Sequence, residues 1–353
     1  MLSKGSVSTP ERRRFVERIC ALYPKAPVED CADVSHNRID LGTAQPLARH
    51  RAGKRTLVFG ELADSVRFSE EEGNSCPNYW HFSPYGFCPY GCKYCYLAGT
   101  HGVWYSPSVK IYVNLAEMIG RIDHIARRLE KPTAFYLGKL QDGLALDPLT
   151  GYSTALVPFF VEHPFARQVI LAKSAFVERL IGLNHGGHTI LSWSLNPPEV
   201  AFAFEENVPS VEDRIEAMRR CAEAGYSVRA VIMPVIPVPD WKPLYTGFLE
   251  RLLSAVQLER LTFGGICIYK GARSLMELKL GKSNPISSHI RGDFAYDGRA
   301  RYAKETRVQM YERLVAIARR IQPNLTLALC LEDVEVRKNL NLEANLGRCN
   351  CVL

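Results

Sequence analysis

Ser83-Pro84-Tyr85-Gly86-Phe87-Cys88-Pro89-Tyr90-Gly91-Cys92-Lys93-Tyr94-Cys95-Tyr96 places three thiols within one turn-rich loop, after a stretch at 81–85 that reads as a strand and before a short helix. Outward from this loop, short β-branched runs recur at 133–138, 168–172, 189–194, 227–232, 261–268 and 325–330. Segments of helical period lie between them, at 114–130, 152–163, 175–182, 210–224, 243–257 and 303–321, and Ser210 followed by Asp213 is a helix start. Such alternation belongs to a mostly parallel sheet covered by crossover helices. Six units between the loop and residue 268 are too few for a closed eight-unit barrel. The expected fold is therefore α/β, a partial (β/α)6-type barrel open on one side.

Three regions are expected around that core. Residues 1–80 open with a basic helical stretch, continue through His36-Asn37-Arg38 and reach the apolar run Thr56-Leu57-Val58-Phe59, which reads as a small N-terminal subdomain. Residues 81–282 form the barrel core. Residues 283–353 begin with a polar, turn-rich excursion at 283–302, continue into a helix and end in a C-terminal extension with two cysteines.

With 353 residues, 47% of them hydrophobic and 23% charged, the chain can bury a sizeable core and is not a disordered polymer. No apolar run approaches the roughly 20 residues of a membrane-spanning helix, and the N-terminus lacks the apolar stretch of a signal peptide. A cytoplasmic protein without membrane contact is expected. The net charge of +7 admits an anionic partner, nucleic acid included, without demanding one.

Eleven cysteines, an odd number, are better read in a reducing compartment as thiols and metal ligands than as a disulfide framework. Cys20, Cys31, Cys221 and Cys267 stand singly among apolar residues and read as small buried hydrophobes. Cys88, Cys92 and Cys95 are different: three thiolates on a loop suit a [4Fe-4S] cubane whose fourth iron stays open to an exogenous ligand. A tetrahedral zinc site would need a fourth ligand, which only Cys76 or His101 could supply.

The spacing C-x3-C-x2-C with an aromatic before the last cysteine resembles the signature of the radical S-adenosylmethionine (SAM) superfamily. Within it, His36-Asn37-Arg38, Gly53-Lys54-Arg55-Thr56-Leu57-Val58, Tyr94-Cys95-Tyr96, Tyr112-Val113-Asn114-Leu115, Lys173-Ser174, Ser192-Trp193-Ser194-Leu195-Asn196, Asp213-Arg214-Ile215-Glu216-Ala217 and Ala224-Gly225-Tyr226 resemble the spore photoproduct lyase family. The resemblance spans about residues 35 to 325. It implies a radical SAM barrel in which an electron from a reduced [4Fe-4S] cluster cleaves SAM to a 5'-deoxyadenosyl radical, drawn from a reductant such as flavodoxin or ferredoxin. It implies DNA-lesion repair as the lyase chemistry. By the same resemblance Lys173 meets the SAM carboxylate, Ser194 makes a polar contact to SAM, Tyr96 borders the cofactor and Tyr94 passes a hydrogen atom. On the residues alone, Lys173 and Ser194 also read as ordinary strand-end residues, and both tyrosines as packing beside the cluster.

Two departures stand out. The lyases carry a hydrogen-donor cysteine just upstream of the aspartate resembling Asp142, where this chain has Gly138-Lys139-Leu140-Gln141. The chain also carries Cys349 and Cys351 near its C-terminal end. These two read as a relocated catalytic hydrogen donor, a ligand pair for a second metal, a dock for a small thiophilic, arsenic-like substrate, or an exposed tether. A nucleic-acid substrate would call on Arg299, Arg301, Lys304 and Arg307, with Lys270, Arg273, Lys279 and Lys282 and the aromatics Phe294, Tyr296 and Tyr302 interleaved. A solvated helix face accounts for the same charges. The competing class is a non-enzymatic metal-binding module on nucleic acid.

Overall fold

A computed structural model describes residues 1–70, 74–290, 295 and 297–353. Its main sheet has eight strands: β1 (Val66–Ser69), β2 (Tyr79–Phe82), β3 (Thr133–Leu137), β4 (Ala166–Ala172), β5 (Thr189–Ser194), β6 (Ser227–Ile232), β7 (Arg260–Phe263) and β8 (Thr326–Leu329). They lie side by side in chain order. β2 to β8 run parallel, and β1 pairs antiparallel with β2 at one edge. Sequential parallel order requires a crossover after each strand. The helices Leu115–Leu129, Ser153–Glu162, Glu178–Ile181, Val211–Glu223, Trp241–Ala255 and Lys304–Ile321 supply them. Six strand-helix units followed by a last strand match the expected partial barrel, with β1 and β8 at its two edges among the described residues.

The reasons are local. β5 is buried at every position, as a central parallel strand covered on both faces must be. Helix Val211–Glu223 starts where expected: Ser210 Oγ accepts from Asp213 N at 3.0 Å, and Glu212 and Asp213 stand at the positive end of the helix. Phe135, Ile170, Leu191, Trp193, Ala230 and Leu261 face the helices and pack with Met118, Phe160, Leu249 and Leu314 in the main core. Each fully buried side chain of that size contributes roughly 1.5–3 kcal/mol. The opposite, inner face presents Ala134, Tyr136, Val169, Leu171 and Ile190.

Some boundaries differ from the reading. The run at 261–268 is two strands, β7 and Cys267–Tyr269, broken at Gly264-Gly265; a Cβ on Gly264 would lie 2.7 Å from Met233 Sδ, so only glycine lets the chain turn there. Cys267–Tyr269 pairs antiparallel with Arg299–Arg301, which makes the polar excursion a long hairpin; Phe294 and Tyr296 lie outside the described residues. Sheet pairing crosses the expected boundary at residue 80. Leu57–Gly60 pairs with Val109–Tyr112 in a five-stranded second sheet, while β1 and β2 join the main one. Among the described residues no helix is long and apolar enough to cross a membrane.

Candidate active site

The cysteine loop is bent against the end of helix Pro198–Phe204. Gly91 N donates to Glu206 O and Lys93 N to Phe204 O, both at 2.8 Å. A Cβ on Gly91 would come within 2.9 Å of the Glu206 side chain, so the close approach needs glycine. Lys54 Nζ donates to Cys88 O at 2.5 Å and lies 3.5 Å from the centre of the Phe87 ring. Cys88, Cys92 and Cys95 line one cavity together with Tyr94, Tyr96, Asp142, Lys173, Ser194, Met233 and Cys267. Burial pushes the Cys88 thiol up to about 11 and the Cys92 thiol higher still. Thiolates in so dry a place need a soft cation beside them. Three sulfurs of this kind on one bent loop fit the donor set of an iron-sulfur cluster.

The zinc-knuckle reading fails on geometry, because neither Cys76 nor His101 lines this cavity. Cys76 lies against Cys330 and Cys349, and the His101 ring packs edge-on to Tyr105. A larger surface depression of about 880 Å³, around Arg38, Arg49, His101 and Tyr105, includes no thiol and carries none of this chemistry.

At the strand ends the expected residues meet. Lys173, just after β4, donates from Nζ to Ser194 Oγ at 2.9 Å, to Tyr94 OH at 3.2 Å and to Glu205 Oε1 at 2.7 Å. Arg214 donates to Glu205 Oε2 at 2.7 Å and to Ser194 O at 3.0 Å. The Tyr94 hydroxyl also donates to Glu205. Burial alone would raise the Glu205 carboxyl, but the charges of Lys173 and Arg214, with hydrogen bonds from Lys173 and Tyr94, hold it down at about 2. Asp142 accepts from the backbone N–H groups of Leu144, Ala145 and Lys173, fixing the loop after β3 to the end of β4.

Lys173 and Ser194 are thus wall residues of the cavity and not surface ends of strands. The two tyrosines part company. Tyr94 is held in the carboxylate network, and burial pushes its phenol well above the usual range. The Tyr96 hydroxyl donates to the carbonyl of Lys139, within the stretch 138–141 where the resemblance predicts a thiol. Cys349 and Cys351 do not line the cavity, and they are buried, 1% and 8% exposed, which overturns the exposed-tether reading. Glu205 had no signal in the sequence, and Arg214 was visible only as part of a motif. Cys267 faces the cavity although its setting reads as that of a buried hydrophobe.

The basic stripe is largely spent within the protein. Arg299 and Arg301 pair with Asp297, Arg307 with Glu332, Lys304 with Glu335 and Arg273 with Glu277.

Comparison with known proteins agrees with this geometry. The family described as spore photoproduct lyase matches residues 13–280. The spore photoproduct lyase of Clostridium acetobutylicum is 29% identical over 213 residues, 60% of this chain and 61% of that protein. That of a Geobacillus species is 30% identical over 247 residues, 68% of this chain and 70% of its own length. The chain therefore spans about three fifths of the Clostridium relative it matches. A solved spore photoproduct lyase complexed with dinucleoside spore photoproduct superposes with a TM-score of 0.79 at 22% identity, covering 93% of this chain and 96% of that one. A variant of that enzyme with bound AdoMet and the same dinucleoside gives a TM-score of 0.79 at 21% identity over the same shares.

Proposed function

The chain belongs to the spore photoproduct lyase family, and from that premise we propose that it is a radical SAM enzyme whose Cys88, Cys92 and Cys95 hold a [4Fe-4S] cluster and whose Lys173, Ser194 and Tyr96 help seat SAM. One observation carries the reading: the Lys173 ammonium, oriented by Glu205 and Ser194, opens on the same cavity as the three cysteines. When bound, the reduced cluster supplies the electron that splits SAM into methionine and a 5'-deoxyadenosyl radical able to take hydrogen from a substrate.

The chain's own residues prepare for that chemistry. Lys173 meets the SAM carboxylate, and in a dry site such a carboxylate needs a charged donor. Glu205 and Arg214 keep the ammonium aimed. Leu171, Ala172, Val231, Met233 and Ile266 exclude water from the cavity, which protects a radical from quenching. Tyr94 and Tyr96 both line the cavity and are the candidates for relaying a hydrogen atom; the Tyr96 hydroxyl is held by the Lys139 carbonyl and that of Tyr94 by Glu205. With no cysteine in the stretch 138–141, Cys267 is the thiol outside the triad that faces the cavity, and it is the residue able to return hydrogen to a substrate radical.

A nucleic-acid lesion is the proposed substrate, because the solved lyases of this fold bind a dinucleoside photoproduct. A low-potential flavodoxin or ferredoxin is the proposed reductant. The test is anaerobic turnover with SAM and dithionite across lesion-bearing DNA, undamaged DNA and arsenite, read as product and 5'-deoxyadenosine. Product from lesion-bearing DNA alone supports the reading, whereas product from arsenite alone replaces the substrate class.

A further inference from the structure

Four cysteines outside the cavity converge where the two edges of the open sheet come together. Cys76 precedes β2, close to one edge, and Cys330 follows β8 at the other. The two edges are joined there: Leu331 N donates to Cys76 Sγ at 3.2 Å, and Ser75 N donates to Glu332 O at 2.8 Å. Cys349 and Cys351 come from the C-terminal stretch, which runs along the inner face of the sheet against Tyr79, Tyr136, Val169 and Ile190. Cys349 and Cys351 are hydrogen-bonded to each other, and Cys76 and Cys330 pack against the cluster that holds them both.

The stretch is anchored rather than loose. Ser192 Oγ donates to Asn350 Oδ1 at 2.9 Å, Arg229 donates to Asn350 O at 3.0 Å and Val352 O at 2.6 Å, and Arg260 donates to Cys349 O at 2.5 Å. Arg229 and Arg260 both pair with Glu259, at 2.8 and 3.6 Å, so two guanidinium groups share one carboxylate beside the thiols. Arg260 Nε is buried without a hydrogen-bond partner. Arg229 and Arg260 thus bring buried positive charge to the backbone that carries Cys349 and its neighbours.

A lone buried cysteine is an ordinary small hydrophobe, but four drawn from three remote segments are not explained by packing. The Cys349 and Cys351 sulfurs stand 3.8 Å apart. Thiolates at about 2.3 Å from one tetrahedral zinc ion are separated by about 3.8 Å, the same spacing. Among the described residues no group of three or more ligating side chains is placed to hold an ion as it stands, so binding requires the cysteine side chains to re-orient around the ion.

We propose that Cys76, Cys330, Cys349 and Cys351 form a second metal site, a four-thiolate site for a soft divalent cation such as Zn2+, which staples the C-terminal stretch to both edges of the open sheet. Binding releases the thiol protons and leaves a dianionic centre that Arg229 and Arg260 offset. The site is structural: all four thiolates come from the protein, and no position is left for substrate. It stands independently of the function proposed for the cavity.

The test uses the full chain, purified anaerobically with its iron-sulfur cluster reconstituted. Metal analysis after Zn2+ titration should find one zinc per chain that resists a mild chelator. Cys349→Ser with Cys351→Ser, and separately Cys76→Ser, should lose it, while Cys88→Ala with Cys92→Ala and Cys95→Ala should keep it. Co2+ titration of the unaltered chain needs no variant to fold, and should give thiolate-to-cobalt charge-transfer bands with the visible bands of a tetrahedral ion. Absence of those bands, zinc retained by the Cys349/Cys351 double variant, or iron-sulfide in place of zinc in the triad variant would each overturn the proposal.

Discussion

Replacing Lys173 by Met removes one ammonium and keeps most of the stem. The Nζ group holds Glu205 at 2.7 Å and Ser194 at 2.9 Å, and the side chain is only 13% exposed, so solvent screens it little. If it also meets the SAM carboxylate, its loss removes a charge-assisted hydrogen bond worth about 1.5–3 kcal/mol, or roughly 12- to 160-fold in Kd. Folding should suffer less than a broken buried pair usually implies. Glu205 keeps Arg214 at 2.7 Å, so the carboxylate is not orphaned, and the cost is about 1.5–3 rather than 3–5 kcal/mol. Arg214→Met is the comparison: its guanidinium reaches Glu205 and the Ser194 carbonyl but is not among the residues lining the cavity, so stability falls, and SAM affinity falls less than in Lys173→Met because the ammonium itself remains. The assay is calorimetric titration of SAM into cluster-loaded protein, paired with urea unfolding. SAM affinity within about twofold of the parent in Lys173→Met, alongside reduced stability, would refute the carboxylate contact and leave Lys173 a partner of Glu205 alone.

Replacing any one of Cys88, Cys92 or Cys95 by Ala should abolish iron binding and reductive SAM cleavage; a triple variant that still makes 5'-deoxyadenosine sinks the cluster assignment. Glu205, held at about 2 against an ordinary 4.5, has a depressed folded value, so its stabilisation is complete above about pH 4.5 and is lost as pH falls toward 2. That loss is on the order of 3 kcal/mol, and Glu205→Gln should flatten this acid limb in urea midpoints measured across the window; an unchanged limb argues against the buried pair. Tyr96→Phe should keep SAM binding yet lower product formed per 5'-deoxyadenosine, and an unchanged ratio returns Tyr96 to packing. Cys267→Ala should likewise uncouple SAM cleavage from product, whereas full turnover would exclude this thiol as the hydrogen donor.

What could be read from the chain follows the range of the forces involved. β3, β5 and β6 were legible almost to the residue, because β-branched and aromatic residues mark them even where β5 carries Ser192 and Ser194 and β6 carries Arg229, and the covering helices have their own period. Pro198–Phe204 and Lys270–Leu280 escaped: the first has seven residues, too few for a period, and the second mixes charges along its length. Lys173 and Ser194 were singled out because strand ends in such barrels collect contacts, and both line the cavity. Glu205 was not, since its position depends on the cysteine loop bonding to residues 204 and 206, more than a hundred positions away. Arg214 sits in the first turn of an amphipathic helix, where an arginine ordinarily faces water, and only the fold turns it into the interior. Cys330 looked like one apolar letter of a strand end until the two sheet edges met.

The thiols divide by where they stand along the inner face of the sheet. Cys267 lines the cavity with the triad, because the chain turns at Gly264-Gly265 and re-enters the wall as the strand Cys267–Tyr269. Cys349 and Cys351 lie on the same inner face but outside that lining; Tyr136 and Leu171 pack against them, and Leu171 also lines the cavity, so that side chain stands between the two groups. Lys139 turns its ammonium to Ser69 and its carbonyl to Tyr96, so this residue holds the tyrosine. If Cys267 is the donor, deuterium from the exchanged thiol should appear in the product, and a product free of deuterium from that source would exclude this thiol.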